Sequence, residues 1–193
     1  MDEKDLIERV RNGEESAVRI LVDRFQPRIL RTARGFVRNE EDARDLTQEV
    51  LIDIIRNIHH FRFQAGLSTW IYRITVNRSL NHLRSSKKRA QTFSIDLPEE
   101  KGPGYSTLNL PDTGQSDPAQ QMEQSDRSRI LHAAIGSIPE KQRTAFVLSE
   151  YDDLSYKEIA EVMNVSLSSV ESLLFRARKN LQKKLWHCYK KNG

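Results

Sequence analysis

A stretch rich in proline and glycine divides this chain of 193 residues into two parts. Neither residue favours a long helix or strand, so no regular element is expected to cross it. On both sides, apolar residues recur every three or four positions, which is the spacing of amphipathic helices. The sequence therefore predicts an all-α protein with two small helical domains, residues 1–90 and 125–193, joined by a flexible acidic linker, residues 91–124. The prolines and glycines of this linker are Pro98, Gly102, Pro103, Gly104, Pro111, Gly114 and Pro118.

Charge is distributed unevenly along the chain. The formal charge is +5 over residues 1–90, −5 over residues 91–124 and +4 over residues 125–193. Two basic parts around an acidic one suggest two contacts with a polyanion, although a modest positive charge is also common in proteins that never bind nucleic acid. No apolar run approaches the length of a membrane span, and the acidic N-terminus does not resemble a signal peptide. With Cys188 as its single cysteine, we expect a cytoplasmic protein without an internal disulfide.

The segment from Phe61 to Arg84 carries the most informative pattern. Gly66 favours a turn, and Ser68 is a plausible N-cap for a helix from about residue 69 to about residue 84. One face of that helix is an apolar stripe that predicts a core contact, and it consists of Tyr72, Val76, Leu80 and Leu83. A second face combines an aromatic ring, amides and guanidinium groups, and it consists of Trp70, Arg73, Asn77, Asn81 and Arg84.

This second face has two interpretations. Aromatic rings stack on bases, amides bond to base edges and arginine pairs with phosphate, so the face suits a single nucleic-acid strand. The alternative is that Trp70 is partly buried and that the other residues are ordinary surface.

A preceding helix is predicted from Asn39, its N-cap, to about His60. Its core stripe consists of Ala43, Leu46, Val50, Ile54 and Ile58, and Leu51, Ile52 and Ile55 widen the apolar surface. The polar side carries Asp45, Gln48 and Glu49. A helix that is apolar nearly all round is either the central helix of a bundle or meets a partner.

The C-terminal part predicts a helix-turn-helix. Ser155 and Glu158 form a capping box for a short helix to Met163, Asn164 suits a left-handed turn, and Ser166 caps a long last helix. The inward face of that helix consists of Val170, Leu174, Ala177, Leu181 and Leu185. Its outward face consists of Ser168, Ser172, Phe175, Arg176, Lys179 and Lys183. Small hydroxyls followed by cations suit entry into a major groove, and a plain amphipathic helix that ends a bundle is the alternative.

Neither metal nor catalytic chemistry is indicated. His59 and His60 are adjacent and would point about 100° apart on a helix, and His187 beside Cys188 offers too few ligands. No phosphate-binding glycine loop or nucleophile motif is present. We therefore expect no cofactor, no metal and no catalytic residue.

Three motifs resemble the sigma-70 family of bacterial transcription factors, specifically its small extracytoplasmic-function (ECF) group. Ser68 to Asn77, S-T-W-I-Y-R-I-T-V-N, and Asp45 to Leu51, D-L-T-Q-E-V-L, are similar to sigma region 2. Phe175 to Arg178, F-R-A-R, is similar to sigma region 4. The resemblance implies a subunit that binds core RNA polymerase and directs it to promoters by recognising the −35 and −10 elements and melting the −10 region. It also implies a stress response and an anti-sigma partner that could hold the chain at the inner membrane face.

The resemblance also implies roles for individual residues. Those implied for the −10 element are Phe61, Arg62, Trp70, Tyr72, Arg73, Asn77 and Asn81, with the turn from Phe61 to Leu67 as the base pocket. Those implied for the −35 element are Ser168, Ser172, Phe175, Arg176 and Lys179. Those implied for the clamp of the polymerase largest subunit are Asp45, Gln48, Glu49 and Leu51, while region 4 meets the polymerase flap. Gln64–Gly66 differs from the common Phe-x-Gly pattern, and Glu171 and Leu173 stand where basic residues are frequent.

Two further expectations concern the linker and the alternative function. In the family, the linker threads toward the active centre of the polymerase, so deletion of residues 103–114 should impair initiation and spare polymerase binding. The alternative is a free-standing helix-turn-helix regulator whose N-terminal part senses a ligand and which binds duplex DNA without polymerase.

Overall fold

The computed structural model describes the backbone of residues 2–93 and 118–192 and the side chains of residues 2–87 and 127–186. All regular structure in these residues is helical, which confirms the predicted all-α class. The helices are α1 (Glu3–Arg11), α2 (Glu15–Phe36), α3 (Glu40–Asn57), α4 (Leu67–Phe93), α5 (Pro118–Ser137), α6 (Glu140–Glu150), α7 (Tyr156–Met163) and α8 (Leu167–Asn192), with a short 3₁₀ turn at Ile58–His60.

The polar residues that the sequence marked as caps hold several helix ends. The Asn39 side chain accepts a 2.6 Å hydrogen bond from the Asp42 backbone N–H and so caps α3. At α7, Ser155 and Glu158 form the predicted capping box, and Asn164 ends the helix in the left-handed conformation with φ 52°. These side chains satisfy backbone donors and acceptors that a helix end leaves unpaired.

Helices α1 to α4 form the first bundle around a large apolar core, and a smaller apolar cluster lies between α2 and α3. The centre of the large core is filled by fully buried side chains from α1, α2, α3 and the 3₁₀ turn, together with the start of α4. The largest of them are Leu6, Ile7, Leu21, Phe25, Ile29, Ile54, Ile58 and Leu67. The core stripe predicted for α3 is buried as expected.

Helices α5 to α8 form the second bundle. A buried guanidinium, that of Arg143 on α6, donates hydrogen bonds to the carbonyls of Ile135, Gly136 and Ile138 at the end of α5. A cation at a helix C-terminus satisfies the free carbonyls and complements the helix dipole. Helices α7 and α8 make the predicted helix-turn-helix, with the inward residues of α8 in the core.

The two bundles share a core. Phe36 of α2 and Tyr72 and Val76 of α4 are buried together with apolar side chains of α5 to α8. The predicted core stripe of α4 therefore faces the helix-turn-helix, while its first turns, through Leu67 and Ile71, face the first bundle.

Three boundaries differ from the prediction. Helix α4 begins at Leu67, after Gly66, whose carbonyl accepts from the Trp70 N–H, so Ser68 lies inside the helix and is not its cap. Helix α4 continues to Phe93, well past residue 84, and α5 begins at Pro118, so helices extend into both ends of the predicted linker. Proline is favourable at a first helical position, and Gln, Met and Glu after it favour a helix. Residues 94–117, with the segment considered for deletion, lie outside the described residues.

Candidate polymerase and nucleic-acid interfaces

An exposed stripe runs along α3. Asp45, Gln48 and Glu49 are exposed, and Ile52, one turn further on, has 47% of its surface exposed. Residues at these spacings lie on one helix face. The stripe combines carboxylates with an exposed apolar side chain, which suits a partner that offers both cations and apolar surface.

Leu51 does not belong to this stripe. It is only 9% exposed and packs in the core of the first bundle. Leu51 was predicted to add apolar contact with the clamp, but it is covered by the bundle in this structure because it lies on the same face as the core residue Ile54. The exposed apolar side chain of the stripe is Ile52.

The turn before α4 is held in shape by charged side chains of α1. The Arg11 guanidinium donates to the carbonyls of Ile58 (3.2 Å) and Phe61 (2.5 Å), and its carbon lies 5.5 Å from the centre of the Phe63 ring. The Glu3 carboxylate accepts from the Leu67 N–H at 2.9 Å and so caps α4. The turn is thus fixed before any ligand arrives.

Within this turn, aromatic rings form a cluster. Phe61 is buried, and its ring centre lies 4.9 Å from that of Phe63 and 5.2 Å from that of Trp70. Trp70 is half-buried against the core, which agrees with the alternative interpretation of this residue. Phe63, with φ 57°, presents 42% of its surface to solvent beside the exposed Arg62.

The amides predicted to bind a strand are exposed on α4. Asn77 and Asn81 lie one turn apart on the outer side of the helix. Next to them, Arg78 makes a bidentate ion pair with Asp53 of α3. This pairing raises the pKa of the Arg78 guanidinium and ties α4 to α3 beside the exposed stripe.

Two other residues that the resemblance implies for the −10 element are covered. Tyr72 is only 7% exposed, and burial, together with the nearby Asp152 carboxylate, raises its pKa to about 12. The Arg73 guanidinium donates to the carbonyls of Glu161 (2.6 Å) and Val162 (3.3 Å) at the end of α7. Both predicted strand contacts are therefore occupied by the second bundle in this structure.

A groove of about 680 Å³ lies between α4 and the second bundle. Asn77, Leu80 and Arg84 line one wall, and Lys141 and Asn164 are on the other. Arg84 bonds to both carboxylate oxygens of Glu140, at 3.0 and 2.6 Å, across one end of the groove.

The outward face of α8 is open. The five residues predicted to read DNA are all exposed, and they are Ser168, Ser172, Phe175, Arg176 and Lys179. Phe175, with 67% of its surface exposed, is the most exposed large apolar residue among those whose side chains the structure describes. The N-terminus of α8 is capped by Ser166, whose hydroxyl accepts from the Ser169 N–H. The face thus presents hydroxyls at its start and cations further along, in a helix-turn-helix frame.

Two family models match the chain, one within each bundle. Sigma-70 region 2 matches residues 21–89, and sigma-70 region 4 matches residues 128–181. The ECF RNA polymerase sigma-E factor of Haemophilus influenzae is 33% identical over 186 residues, which cover 96% of both chains. This chain belongs to the sigma-70 family, in its ECF group. The RNA polymerase sigma-H factor of Pseudomonas aeruginosa is also 33% identical, over 95% of this chain and 93% of its own.

Solved structures share the fold of this sigma factor. CnrH in complex with the cytosolic domain of CnrY aligns with a TM-score of 0.63 at 20% identity, over 95% of this chain and 96% of its own. The sigma factor RpoE in complex with the anti-sigma factor NepR from Bartonella quintana aligns with a TM-score of 0.60 at 19% identity, over 86% of this chain and 95% of its own.

Family membership settles the function in outline. As an ECF sigma factor, the protein binds core RNA polymerase and directs initiation at promoters. The free-standing regulator considered from the sequence is thereby set aside. Among the helices of the described residues, none is both long and apolar enough to cross a membrane.

Three residues at the candidate interfaces were not predicted individually from the sequence. Ile52 was seen only as part of a wide apolar surface, although an isoleucine among exposed polar residues is a signal for a partner. Phe63 lies in the turn predicted to form the base pocket. Its neighbours Arg62 and Gln64 are polar, so no apolar periodicity distinguished it. Arg11 lies far away in sequence, and nothing local links it to the turn.

Proposed function

We propose that the exposed stripe of α3 holds the coiled-coil clamp of the polymerase largest subunit. Asp45, Gln48 and Glu49 would pair with its polar and basic groups, and Ile52 would supply apolar contact. The support is the geometry of the helix: its other faces are buried in the first bundle, so this stripe is the surface left for a partner. Buried apolar contact with a ring of polar residues is typical of interfaces.

The −10 element is assigned to α4 and the turn before it. Asn77 and Asn81 would bond to base edges of the non-template strand, and the exposed Phe63 ring beside Arg62 offers a surface on which a flipped base can stack. Unstacking a base costs a few kcal/mol. Base–aromatic stacking, which is worth about 1–3 kcal/mol per base, offsets that cost together with the edge hydrogen bonds. Phe61 and Trp70 would not contact the base themselves. The Phe61 ring packs against both Phe63 and Trp70 and so supports the Phe63 ring and the start of α4.

The −35 element is assigned to the outward face of α8. Ser168 and Ser172 suit groove edges near the helix N-terminus, Phe175 suits a thymine methyl group, and Arg176 and Lys179 suit phosphate or guanine. Region 4 would also meet the polymerase flap.

In this account the chain has three parts with separate tasks. Residues 1–90 bind polymerase and the −10 strand, residues 91–124 connect, and residues 125–193 bind the −35 duplex. The chain supplies no catalytic group of its own, because polymerase carries out RNA synthesis.

We further propose a cytoplasmic protein that acts in a stress response and is restrained by an anti-sigma factor, which can hold it at the inner membrane face. Its fold is shared with a sigma factor solved together with an anti-sigma factor. The groove between α4 and the second bundle would give such a partner access to both halves.

The observation that carries the proposal is the presence of separate exposed faces on α3 and α8, joined in one chain. A gel shift with a promoter fragment tests the proposal. The promoter is first mapped by sequencing the transcripts that appear when the protein is overexpressed. We expect a shift with core polymerase plus protein and none with the protein alone. Glu49→Lys should abolish the shift by weakening polymerase binding, and Glu8→Lys, an exposed change on α1, serves as the charge-matched control. A full shift with Glu49→Lys would overturn the assignment of α3.

A further inference from the structure

One residue of the turn before α4 has a backbone conformation that disfavours its side chain. Phe63 has φ 57°, in the left-handed region, where the Cβ atom of any residue other than glycine crowds the backbone. The residue also leaves 42% of its surface exposed to solvent. Backbone strain of this kind persists only where surrounding contacts hold it, and it is frequent at sites that bind ligands.

Two side chains support the Phe63 ring. The guanidinium carbon of Arg11 lies 5.5 Å from the centre of the ring, a distance at which a cation is attracted to an aromatic face. The ring of Phe61, which is buried, has its centre 4.9 Å from that of Phe63. A cation and a core aromatic residue therefore hold the ring, and its exposed remainder is the part that a ligand can reach.

Arg11 also fixes the backbone that leads to Phe63. Its guanidinium donates to the carbonyl oxygens of Ile58 and Phe61, at 3.2 and 2.5 Å. Hydrogen bonds from a charged donor are stronger than neutral ones, and the donors of a guanidinium lie in a fixed planar fork. One half-buried side chain of α1 thus contacts both the backbone of the turn and the ring that the turn presents.

We propose that Arg11 is a positioning residue for base capture, which holds the Phe63 ring in the exposed orientation on which a flipped base of the −10 strand stacks. It acts through the ring and does not contact the strand. A ring that is already fixed avoids the entropy cost of ordering a side chain when the base arrives. The inference rests on the proposed function of the turn and adds to it a residue from another helix.

A double-mutant cycle in the full chain, assembled with core polymerase, tests the inference. The variants are Arg11→Gln, Phe63→Ala and the two together. Arg9→Gln is the matched control, because it makes the same change of charge on α1 at another half-buried arginine, whose guanidinium pairs with Glu14. The readout is the affinity for a fluorescent single strand with the non-template −10 sequence of a mapped promoter, measured over a series of salt concentrations. Thermal melts establish that each variant is folded.

We expect Phe63→Ala to weaken strand binding about 5- to 150-fold, which is the loss when a base no longer stacks on a ring. Arg11→Gln should weaken binding about tenfold, a part of the same loss, because the ring is no longer held in place. In the background of Phe63→Ala, Arg11→Gln should have no further effect. Its plot of log affinity against log salt concentration should keep the wild-type slope, and Arg9→Gln should bind like wild type.

Three results would overturn the positioning role and leave the base-stacking assignment of Phe63 in place. The first is an equal loss from Arg11→Gln with and without the Phe63 ring, which would show that Arg11 stabilises the turn in general. The second is a salt slope lowered by about 0.7, the value for one phosphate contact on a single strand, which would show that Arg11 touches the strand. The third is wild-type affinity for Arg11→Gln while Phe63→Ala is weakened.

A different result would overturn the proposed function of the turn itself. If Phe63→Ala binds the strand like wild type, no base stacks on this ring, and the role of Arg11 fails with it. If Arg11→Gln does not fold, Arg11→Lys takes its place in the cycle. Lysine keeps the charge and lacks the planar fork, so its loss of affinity should be smaller and should also vanish without the Phe63 ring.

Discussion

The Thr32 hydroxyl lies between two acceptors, 2.8 Å from Oδ2 of Asp152 and 3.0 Å from the carbonyl oxygen of Arg28. It has one proton to donate. If the Asp152 carboxyl is protonated, its O–H can donate to the Thr32 oxygen. The Thr32 hydroxyl can then donate its own proton to the backbone carbonyl oxygen of Arg28. The other carboxylate oxygen, Oδ1, is buried without a hydrogen bond. This site between the bundles therefore favours a neutral carboxyl.

The first prediction follows from the charge of Asp152. Burial raises the pKa of its carboxyl from 3.8 to about 6, and Asp153 adds to the rise, while Thr32, Arg31 and Arg28 oppose it. Because the folded-state pKa is the higher one, the stability from protonation is present below about pH 4 and is lost as the pH rises through about 6. The loss between about pH 4.5 and about pH 7.5 is about 2 kcal/mol.

Urea unfolding of wild type and Asp152→Asn at the two pH values measures this effect. Asparagine is neutral at both, so the free energy of unfolding of Asp152→Asn relative to wild type should rise by about 2 kcal/mol from the lower pH to the higher. Surface carboxylates cancel in this difference. An equal difference at both pH values would show that Asp152 titrates normally.

The second prediction uses neighbours on α3 that differ in burial. Ile52→Ala should weaken binding to core polymerase with little effect on stability, because Ile52 is largely exposed. Leu51→Ala should cost about 2–5 kcal/mol of stability, since it opens a cavity in the core, and at a temperature where the variant stays folded it should bind polymerase normally. Thermal melts and a pull-down with core polymerase measure both. The assignment of the stripe fails if Leu51→Ala loses the polymerase while Ile52→Ala keeps it.

Local sequence features predicted most of the helices. Asn39, Ser155, Glu158 and Asn164 lie at helix ends as predicted, because caps and left-handed turns depend on neighbouring residues alone. The periodicity of α3 and α8 also identified their buried faces. On α8 the five predicted residues are exposed together, as the spacing required.

The packing of the two bundles against each other could not be predicted from the sequence. Tyr72 belongs both to an apolar stripe and to a family motif, and only the fold shows that the stripe faces the second bundle. In the sequence, Gly35 is an ordinary glycine within a helical pattern. Only the fold shows that a Cβ atom at this position would lie 2.4 Å from Cγ1 of Val147, which is far along the chain. Such contacts depend on tertiary packing, which periodicity does not report.

The third prediction concerns the amides of α4. Asn77→Ala with Asn81→Ala should impair promoter opening and leave polymerase affinity intact. A net hydrogen bond contributes about 1 kcal/mol, so the loss of two lowers strand capture about 30-fold. Permanganate reactivity of −10 thymines measures opening, and a pull-down measures affinity. Undiminished thymine reactivity in the double variant would remove these amides from the −10 site.

The fourth prediction concerns Glu171, which is exposed on α8 between Ser168 and Ser172. A carboxylate accepts a hydrogen bond from the cytosine amino group, whereas glutamine pairs with adenine, and a good base contact discriminates by about 1–3 kcal/mol. Glu171→Gln should therefore shift the preferred base at one −35 position from cytosine toward adenine. Transcription from a library randomised over the −35 element, followed by sequencing, measures the shift. An identical base preference in both proteins would place Glu171 away from the bases.

The most direct measurement of the central claim is transcription reconstituted from purified protein, core polymerase and genomic DNA, with the 5′ ends of the transcripts sequenced. If the protein directs promoter recognition, discrete start sites should appear only when it is added, each preceded by shared −35 and −10 sequences. Start sites that are the same with and without the protein would contradict this role.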